Sequence, residues 1–184
     1  MHWRNQQTHW GMVAILMHFG VAFTVFGLFA LGWWMVDLTY YDSWYKPAPH
    51  IHKSIGILLF ITMILRLAWR IFDKPPEHLD THAKWEQISA KITHILLYAL
   101  IFGIIFSGYL ISTADGRPIK VFDWFEVPAL ITSIEKQEDI AGVIHWYAAC
   151  VLIGLAVLHI LGAFKHHVID KDTTLTRMLG KNRR

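Results

Sequence analysis

Four long apolar runs constrain this chain more than any other feature of its sequence. They cover about residues 11–36, 51–71, 91–112 and 142–167. Each run supplies the roughly 20 apolar residues that an α-helix needs to cross a bilayer. Because a backbone in lipid must satisfy its own hydrogen bonds, each run is expected to be helical. The sequence therefore predicts an all-α integral membrane four-helix bundle, with a single transmembrane domain over 1–184.

The composition excludes several classes of protein. Hydrophobic residues make up 54% of the chain and charged residues only 17%, which is too apolar for a disordered protein. The single cysteine, Cys150, lies inside the last run, so intramolecular disulfides, iron-sulfur clusters and covalent c-type haem are not expected. The first run is longer than a signal-peptide core and lacks a cleavage context, so we expect it to remain in the protein.

The basic residues are distributed unequally between the two sides of the predicted bundle. With four crossings both termini share a side, and twelve of the 17 Lys and Arg residues fall on it. This asymmetry predicts cytoplasmic termini. It also explains the basic balance through contact with anionic lipid headgroups, without nucleic acid. The opposite side holds eight acids against five bases and is mildly acidic.

Histidines inside the apolar runs are the main functional signal. His18 and His159 are predicted at one level, roughly 10 Å from the side of the termini, and His52 and His145 lie level at the other face. His145 and His159 are fourteen residues apart, which returns nearly to the same helix face about 21 Å further along. Two level pairs from different helices are the arrangement that bis-imidazole ligation of two stacked haems requires.

Each of these features also has a purely structural explanation or an alternative metal. A lone membrane histidine normally bonds a neighbouring helix, and small residues normally allow close helix packing. Zinc is the alternative metal, but neither level shows a third and fourth ligand. Small residues beside the histidines leave room for a flat macrocycle, and these are Gly20, Gly56, Gly142, Gly154, Gly162, Ala148 and Ala149.

Nearly the whole chain resembles the bacterial cytochrome b561 family of four-helix, di-haem b membrane proteins. The resemblance rests on the four histidines above, on HKSIGILL at 52–59, on THILLYALIF around His94, and on HHVIDKDTTLTRML at 166–179. The segment FALGWWMVDLTYYDSWY is similar to enterobacterial members. The resemblance implies that His18 and His159 hold a cytoplasmic-side haem b, and that His52 and His145 hold a periplasmic-side haem b.

The resemblance also implies a function in the bacterial inner membrane. The family moves single electrons across this membrane, and one branch oxidises periplasmic superoxide and reduces ubiquinone. We therefore expect an electron carrier between a periplasmic donor and quinone, acting as a superoxide:ubiquinone oxidoreductase. The alternative is a cytochrome b subunit that relays electrons from a periplasmic redox protein or dehydrogenase, so enzyme status stays open. A structural scaffold or a transporter would leave the paired histidines unexplained.

Three further histidines are candidates for binding quinone or haem. His166 and His167 follow His159 by seven and eight residues and are candidate donors to a quinone carbonyl. The alternative for this pair is a basic end that stops membrane transfer. His94 is a candidate for bonding a haem propionate or for competing with His18 as ligand, against the simpler interpretation of an interfacial histidine.

Basic residues near the two histidine levels are expected to neutralise haem propionates. Arg66 and Arg70 are predicted near the inner level, and Lys53, Arg117 and Lys120 near the outer one. Arg70 also suits a positive-inside anchor. The segment VFDWFEVPAL, which follows the third run, is expected to lie on the membrane surface as an anchor, a lid or a docking surface.

Overall fold

The computed structural model describes residues 2–77, 79 and 82–180. These residues form four long helices, one short helix and one two-stranded sheet. The elements are α1 (Met12–Met35), α2 (Pro47–Phe72), α3 (Lys84–Thr113), β1 (Ile119–Val121), β2 (Phe125–Val127), α4 (Gln137–Val168) and α5 (Thr174–Met178). The predicted mostly helical fold with four membrane-length helices is confirmed.

Large apolar side chains cover the outer surfaces of the long helices. Phe23 on α1 is 75% exposed, Leu65 on α2 is 55% exposed and Leu158 on α4 is 64% exposed. A helix in water hides such a stripe against a core, whereas a helix that is apolar all round is typical of a membrane span. Lipid is therefore the solvent that this surface suits.

Three of the long helices begin earlier than the apolar runs do. Helix α2 begins at Pro47 rather than near 51, since proline's fixed φ suits the first helical position. Helix α3 begins at Lys84 rather than near 91, and the Glu86 carboxylate accepts the Ala83 N–H at 3.0 Å, which caps the first turn. Helix α4 begins at Gln137 rather than near 142. Polar first turns are invisible to a search for apolar residues.

The segment after α3 forms a β-hairpin. Strands β1 and β2 pair antiparallel, with Val121 opposite Phe125. The Trp124 N–H donates to the Val121 carbonyl at 2.9 Å, and Phe122 and Asp123 both have positive φ, at 46° and 59°. This turn geometry matches the twist of a tight hairpin. The sequence analysis placed this segment on the membrane surface and predicted no strands there, since each paired strand is only three residues long.

The chain folds into two compact units. The terminal unit comprises Met1–Ala22, Thr62–Tyr98 and Gly154–Arg184, as far as these ranges are described. The hairpin unit comprises Phe23–Ile61 and Ala99–Ile153. Each long helix contributes a segment to both units, so residues far apart in sequence come together within each of them.

In the terminal unit, Asn5 joins the N-terminal segment to the end of α2. Its backbone N–H donates to Asp73 Oδ2 at 2.9 Å, and its side-chain amide donates to the carbonyls of Asp73 and Lys74. Its Oδ1 accepts the Gly11 N–H at 2.8 Å. A Cβ at Gly11 would clash with the backbone carbonyl of Arg4, so only glycine fits there.

In the hairpin unit, Ser54 joins α2 to the β-hairpin. Its side chain is fully buried. The hydroxyl donates to the Lys120 carbonyl at 3.3 Å and accepts the Phe122 N–H at 3.1 Å. Because a buried hydroxyl needs partners, these two bonds fix the hairpin against the helix that carries His52 two residues earlier.

Candidate functional site

His52 and His145 face each other in the hairpin unit. Their ring centroids lie 6.1 Å apart, and the ring planes are inclined by 64°. His52 comes from α2 and His145 from α4, so the pair joins two helices. The structure therefore brings together the two residues that the sequence predicts as one ligand pair.

Backbone and side-chain oxygens of α3 orient the ring of His145. Its Nδ1 lies 2.9 Å from the Ile104 carbonyl oxygen and 3.2 Å from Ser107 Oγ. A carbonyl only accepts, so Nδ1 carries the proton and Nε2 keeps its lone pair. Such a bond fixes the tautomer and raises the basicity of a ligating imidazole. His52 Nδ1 has no hydrogen-bond partner among the described residues.

Two glycines lie directly against this histidine pair. A Cβ built on Gly32 of α1 would lie 3.2 Å from His52 Cε1, and one on Gly108 of α3 would lie 3.1 Å from His145 Cε1. Any larger residue would displace the imidazole ring or the helix. Gly32, Gly108 and Ser107 were not predicted from the sequence, because their role depends on which residue of a neighbouring helix they face.

A second histidine pair lies in the terminal unit. His18 of α1 and His159 of α4 have ring centroids 6.2 Å apart and planes inclined by 64°. His94 of α3 is closer to His159, with centroids 5.2 Å apart. Three imidazoles, from three helices, therefore lie together in this unit.

Arg66 is bonded to His18 in the terminal unit. Its Nη2 lies 3.0 Å from His18 Nδ1, and its Cζ lies 5.4 Å from the centre of the Tyr98 ring. A guanidinium has only donors, so His18 Nδ1 accepts this bond and its proton resides on Nε2. Arg66 therefore holds the His18 ring and places a positive charge beside it.

The spacing within each matched pair suits two imidazoles on one metal ion. Metal–imidazole bonds of about 2.0–2.1 Å place the centroids of two opposed rings about 6.3 Å apart. The observed separations are 6.2 Å for His18 and His159 and 6.1 Å for His52 and His145. His94 and His159, at 5.2 Å, are too close to lie on opposite sides of one iron. The residues present therefore fit bis-histidine haem in both units.

The glycines predicted to make room do not serve as close helix contacts. Among the described residues, a Cβ built on Gly56, Gly142, Gly154 or Gly162 would meet no heavy atom within 4 Å. Close packing of helices through small residues would bring a neighbouring backbone or side chain within that distance. Space beside the helices at these positions is compatible with a flat macrocycle or with lipid.

The basic residues predicted to neutralise haem propionates differ in their exposure and in whether they already form an ion pair. Arg117 is 84% exposed and forms an ion pair with Asp115, whose pKa the Arg117 guanidinium holds below its usual range. Lys120 Nζ lies 3.8 Å from Glu126 Oε1 across the hairpin. Lys53 is half-buried and Arg70 is exposed. In the described part of the chain, none of these four residues forms a hydrogen bond to a predicted ligand histidine, whereas Arg66 does.

His166 and His167 occupy different surroundings at the end of α4. His166 Nδ1 lies 2.8 Å from Asp170 Oδ2 and 3.2 Å from Asp172 Oδ2. His167 Nδ1 is buried and has no hydrogen-bond partner among the described residues. The two adjacent histidines therefore differ in their surroundings, although Nδ1 of each is buried without a hydrogen bond to any described residue.

Imidazole pairs between apolar, membrane-length helices are the arrangement expected of a membrane-embedded cytochrome of the b type. The chain belongs to the prokaryotic cytochrome b561 family, whose model matches residues 9–181. Membership identifies the chain as a helical membrane protein that contains haem b and takes part in electron transport. The resemblance stated from the sequence is thus confirmed.

The named relatives cover between 77% and 99% of this chain. It is 47% identical over 182 residues to cytochrome b561 homolog 2 of Escherichia coli K12, an overlap of 99% of this chain and 97% of the relative. It is 25% identical over 142 residues to cytochrome b561 homolog 1 of the same organism, covering 77% and 80% of the two chains. It is also 24% identical over 176 residues to a Yersinia pestis protein named probable superoxide oxidase CybB, covering 91% and 96%.

Proposed function

We propose that the protein binds two haem b groups within one transmembrane domain and carries single electrons between a periplasmic donor and membrane quinone. The observation that best supports this proposal is the pair of matched ring separations, 6.1 Å in the hairpin unit and 6.2 Å in the terminal unit. Each pair suits one six-coordinate iron. A lone structural histidine would not be duplicated with the same separation and inclination in both units.

The chain's own residues suit electron transfer rather than oxygen binding. When bound, haem b supplies a one-electron iron couple. Because each pair would offer two histidines to one haem, the pairs favour electron transfer over direct binding of oxygen. Ile104 and Ser107 hold His145 in one orientation, and the apolar helices keep water away from the imidazoles. A fixed ligand geometry in a dry environment lowers the reorganisation that accompanies each electron transfer.

Arg66 is the residue we assign to a haem propionate in the terminal unit. Its guanidinium donates to His18 Nδ1 and lies beside the pair of His18 and His159 that would hold the haem. A guanidinium has five N–H donors, and a carboxylate is the partner that its remaining donors suit best. Arg70, Lys53, Arg117 and His94 remain weaker candidates for the same role.

We assign the quinone to the end of α4 that carries His167. Nδ1 of His167 is buried and has no hydrogen-bond partner in the described part of the chain, so it is available to a quinone carbonyl, whereas His166 Nδ1 faces two carboxylates. The excess of basic residues on the side of the termini supports a cytoplasmic location for this end. The periplasmic donor then reaches the hairpin unit.

Superoxide is the donor we propose for the hairpin unit, with ubiquinone as the acceptor. The proposal is supported by similarity to the Yersinia pestis protein named probable superoxide oxidase CybB. It is tested by stopped-flow mixing of oxidised protein with superoxide, with and without ubiquinone, while haem reduction is followed optically. Reduction near the diffusional regime, followed by reoxidation only with ubiquinone, is the expected result. Reduction no faster than in a superoxide-free control would exclude superoxide.

The charges of the hairpin unit favour a second candidate function. Steering of an anion needs a positive local field, yet Arg117 is paired with Asp115 and Lys120 with Glu126. A face whose cations are paired suits a basic redox protein better than a small anion. In that case the chain relays electrons from a protein donor to quinone, and the same stopped-flow experiment with superoxide gives only the slow control rate.

A further inference from the structure

Two histidines and an aspartate form a compact polar cluster in the terminal unit, apart from the paired histidines. His82 Nε2 lies 2.8 Å from Asp172 Oδ2, and His166 Nδ1 lies 3.2 Å from the same oxygen. One nitrogen or oxygen from each residue lies within 4.8 Å of the others. The side chains of His82, His166 and Asp172 are only 15%, 17% and 6% exposed.

The orientation of these groups is typical of metal ligands. His166 Nδ1 has no hydrogen bond of acceptable direction within the described part of the chain, although carboxylate oxygens of Asp170 and Asp172 lie 2.8 and 3.2 Å away. The ring centroids of His82 and His166 lie 4.5 Å apart, and the ring planes are inclined by 37°, so the two imidazoles are close but not stacked in parallel. A nitrogen aimed between two carboxylates suits a shared cation.

We propose that His82, His166 and Asp172 bind a divalent metal ion of the zinc class. Zinc takes imidazole nitrogen and carboxylate oxygen at about 2.0–2.2 Å, and a tetrahedral site separates its ligand atoms by about 3.4 Å. The two observed separations of 2.8 and 3.2 Å reach this value with small side-chain movements. Calcium and magnesium require mostly oxygen ligands and do not suit a site with two imidazoles.

Hydrogen bonds around the cluster prepare it for a metal ion. Asp172 Oδ1 accepts the Thr174 N–H at 2.8 Å, which leaves Oδ2 facing the two imidazoles. Burial alone would raise the pKa of Asp172, but bonds from Thr174 and His82 together hold the pKa below its ordinary value. Outer partners of this kind fix the orientation of metal-binding carboxylates.

The charges near the cluster also favour an added cation. Glu86 and Asp170 lie beside His166 as a second, more exposed set of candidate ligands. Lys165 Nζ contacts both of these carboxylates at 2.7 Å, and Arg177 interacts with Asp172 at longer range. With Asp172 included, three carboxylates face one lysine and one arginine, so acidic side chains outnumber these basic ones around the two imidazoles. Asp170 is the nearest candidate for a fourth ligand.

Equilibrium dialysis of haem-loaded, untagged protein against Zn²⁺ tests this proposal independently of the proposed electron transfer. Zinc per chain is measured by elemental mass spectrometry for the wild type and for His82→Ala and Asp172→Asn. We expect one zinc per chain in the wild type and at least about tenfold weaker binding in each variant. His167→Ala is the matched control, because it removes an adjacent imidazole outside the cluster. An unchanged haem spectrum shows that each variant is folded.

Zinc X-ray absorption of the same samples identifies the ligands. We expect a shell of nitrogen and oxygen at about 2.0–2.2 Å that includes imidazole scattering. Equal zinc binding by the wild type and by a His82→Ala/Asp172→Asn double variant would overturn the proposal. Weakening by His167→Ala to the same extent as by His82→Ala would also overturn it, and the cluster would then be a hydrogen-bonded clasp between the α3 start and the C-terminal segment.

Discussion

His145 lies against Gly108 so closely that a Cβ at this position would come within 3.1 Å of its Cε1 atom. We therefore predict that Gly108→Ala tilts the His145 ring and changes the electron paramagnetic resonance signal and midpoint potential of one haem only. Gly103→Ala on the same helix is the matched control, because its Cβ would meet no heavy atom of the described residues within 4 Å. Equal effects of the two substitutions would contradict the assigned role of Gly108.

Ser107 provides a second test of the same ligand. Its hydroxyl lies 3.2 Å from His145 Nδ1 and bonds the Ile104 carbonyl that accepts from this nitrogen. Ser107→Ala weakens support for the N–H and lowers the basicity of the ligand, so the potential of the hairpin-unit haem should rise by about 20–60 mV. Spectroscopic redox titration measures this shift. A fall in potential, or a shift of the other haem, would be inconsistent with the assignment.

Arg66 places a positive charge beside the terminal-unit histidines. Arg66→Ala removes a charge that favours the reduced iron, so the potential of that haem should fall by roughly 50 mV or more. Arg66→Lys keeps the charge and should shift the potential less, and Arg70→Ala, at an exposed position, should have a small effect. The same redox titration distinguishes these cases. Identical potentials for Arg66→Ala and the wild type would remove Arg66 from the haem environment.

His94 should be dispensable for haem binding despite its proximity to His159. Its ring centroid lies 5.2 Å from that of His159, which is too close for the two to share an iron from opposite sides. We expect His94→Ala to retain the full haem content in a pyridine haemochrome assay, with at most a small shift in potential. Loss of one haem from this variant, with retention of both in His18→Ala, would exchange the roles of His94 and His18.

The contact between Asp172 and His82 should hold the C-terminal segment against the start of α3 in a pH-dependent way. Its pKa is lower in the folded protein than its ordinary value of 3.8. The stability it contributes is therefore present above pH 3.8 and is lost as the pH falls through the lower folded value. In the presence of a chelator, Asp172→Asn should reduce hydrogen-exchange protection of residues 170–178 at about pH 6. The difference from the wild type should vanish in stronger acid, and persistence there would contradict the sign.

The sequence predicted the helices and the histidine pairing for definite physical reasons. A membrane helix is recognised by its apolar length, and the fourteen-residue interval between His145 and His159 places both on nearly one face. The β-hairpin and the polar first turns could not be predicted in this way. They depend on short-range capping by Glu86 and on the buried hydroxyl of Ser54, which lie outside any periodic apolar pattern.

The residues that contact the predicted ligand histidines could not be predicted from the sequence for a different reason. Gly32 and Gly108 have no distinguishing pattern in their own helices, and their importance arises only from the histidine that each one faces on another helix. The cluster of His82, His166 and Asp172 is similar, because its members are separated by 84 and 6 residues along the chain. Side-chain direction across helices, rather than spacing within one helix, decides both cases.

Haem content in two variants of α4 tests the proposed ligand pairs most directly. We expect two haems per chain in the wild type and one haem per chain in each of His145→Ala and His159→Ala. The haem that remains in one variant should differ in midpoint potential from the haem that remains in the other. His50→Ala, two residues from His52, should retain both haems. A wild type with a single haem, or the loss of both haems from either α4 variant while the protein remains folded, would contradict the assignment of one independent histidine pair to each haem.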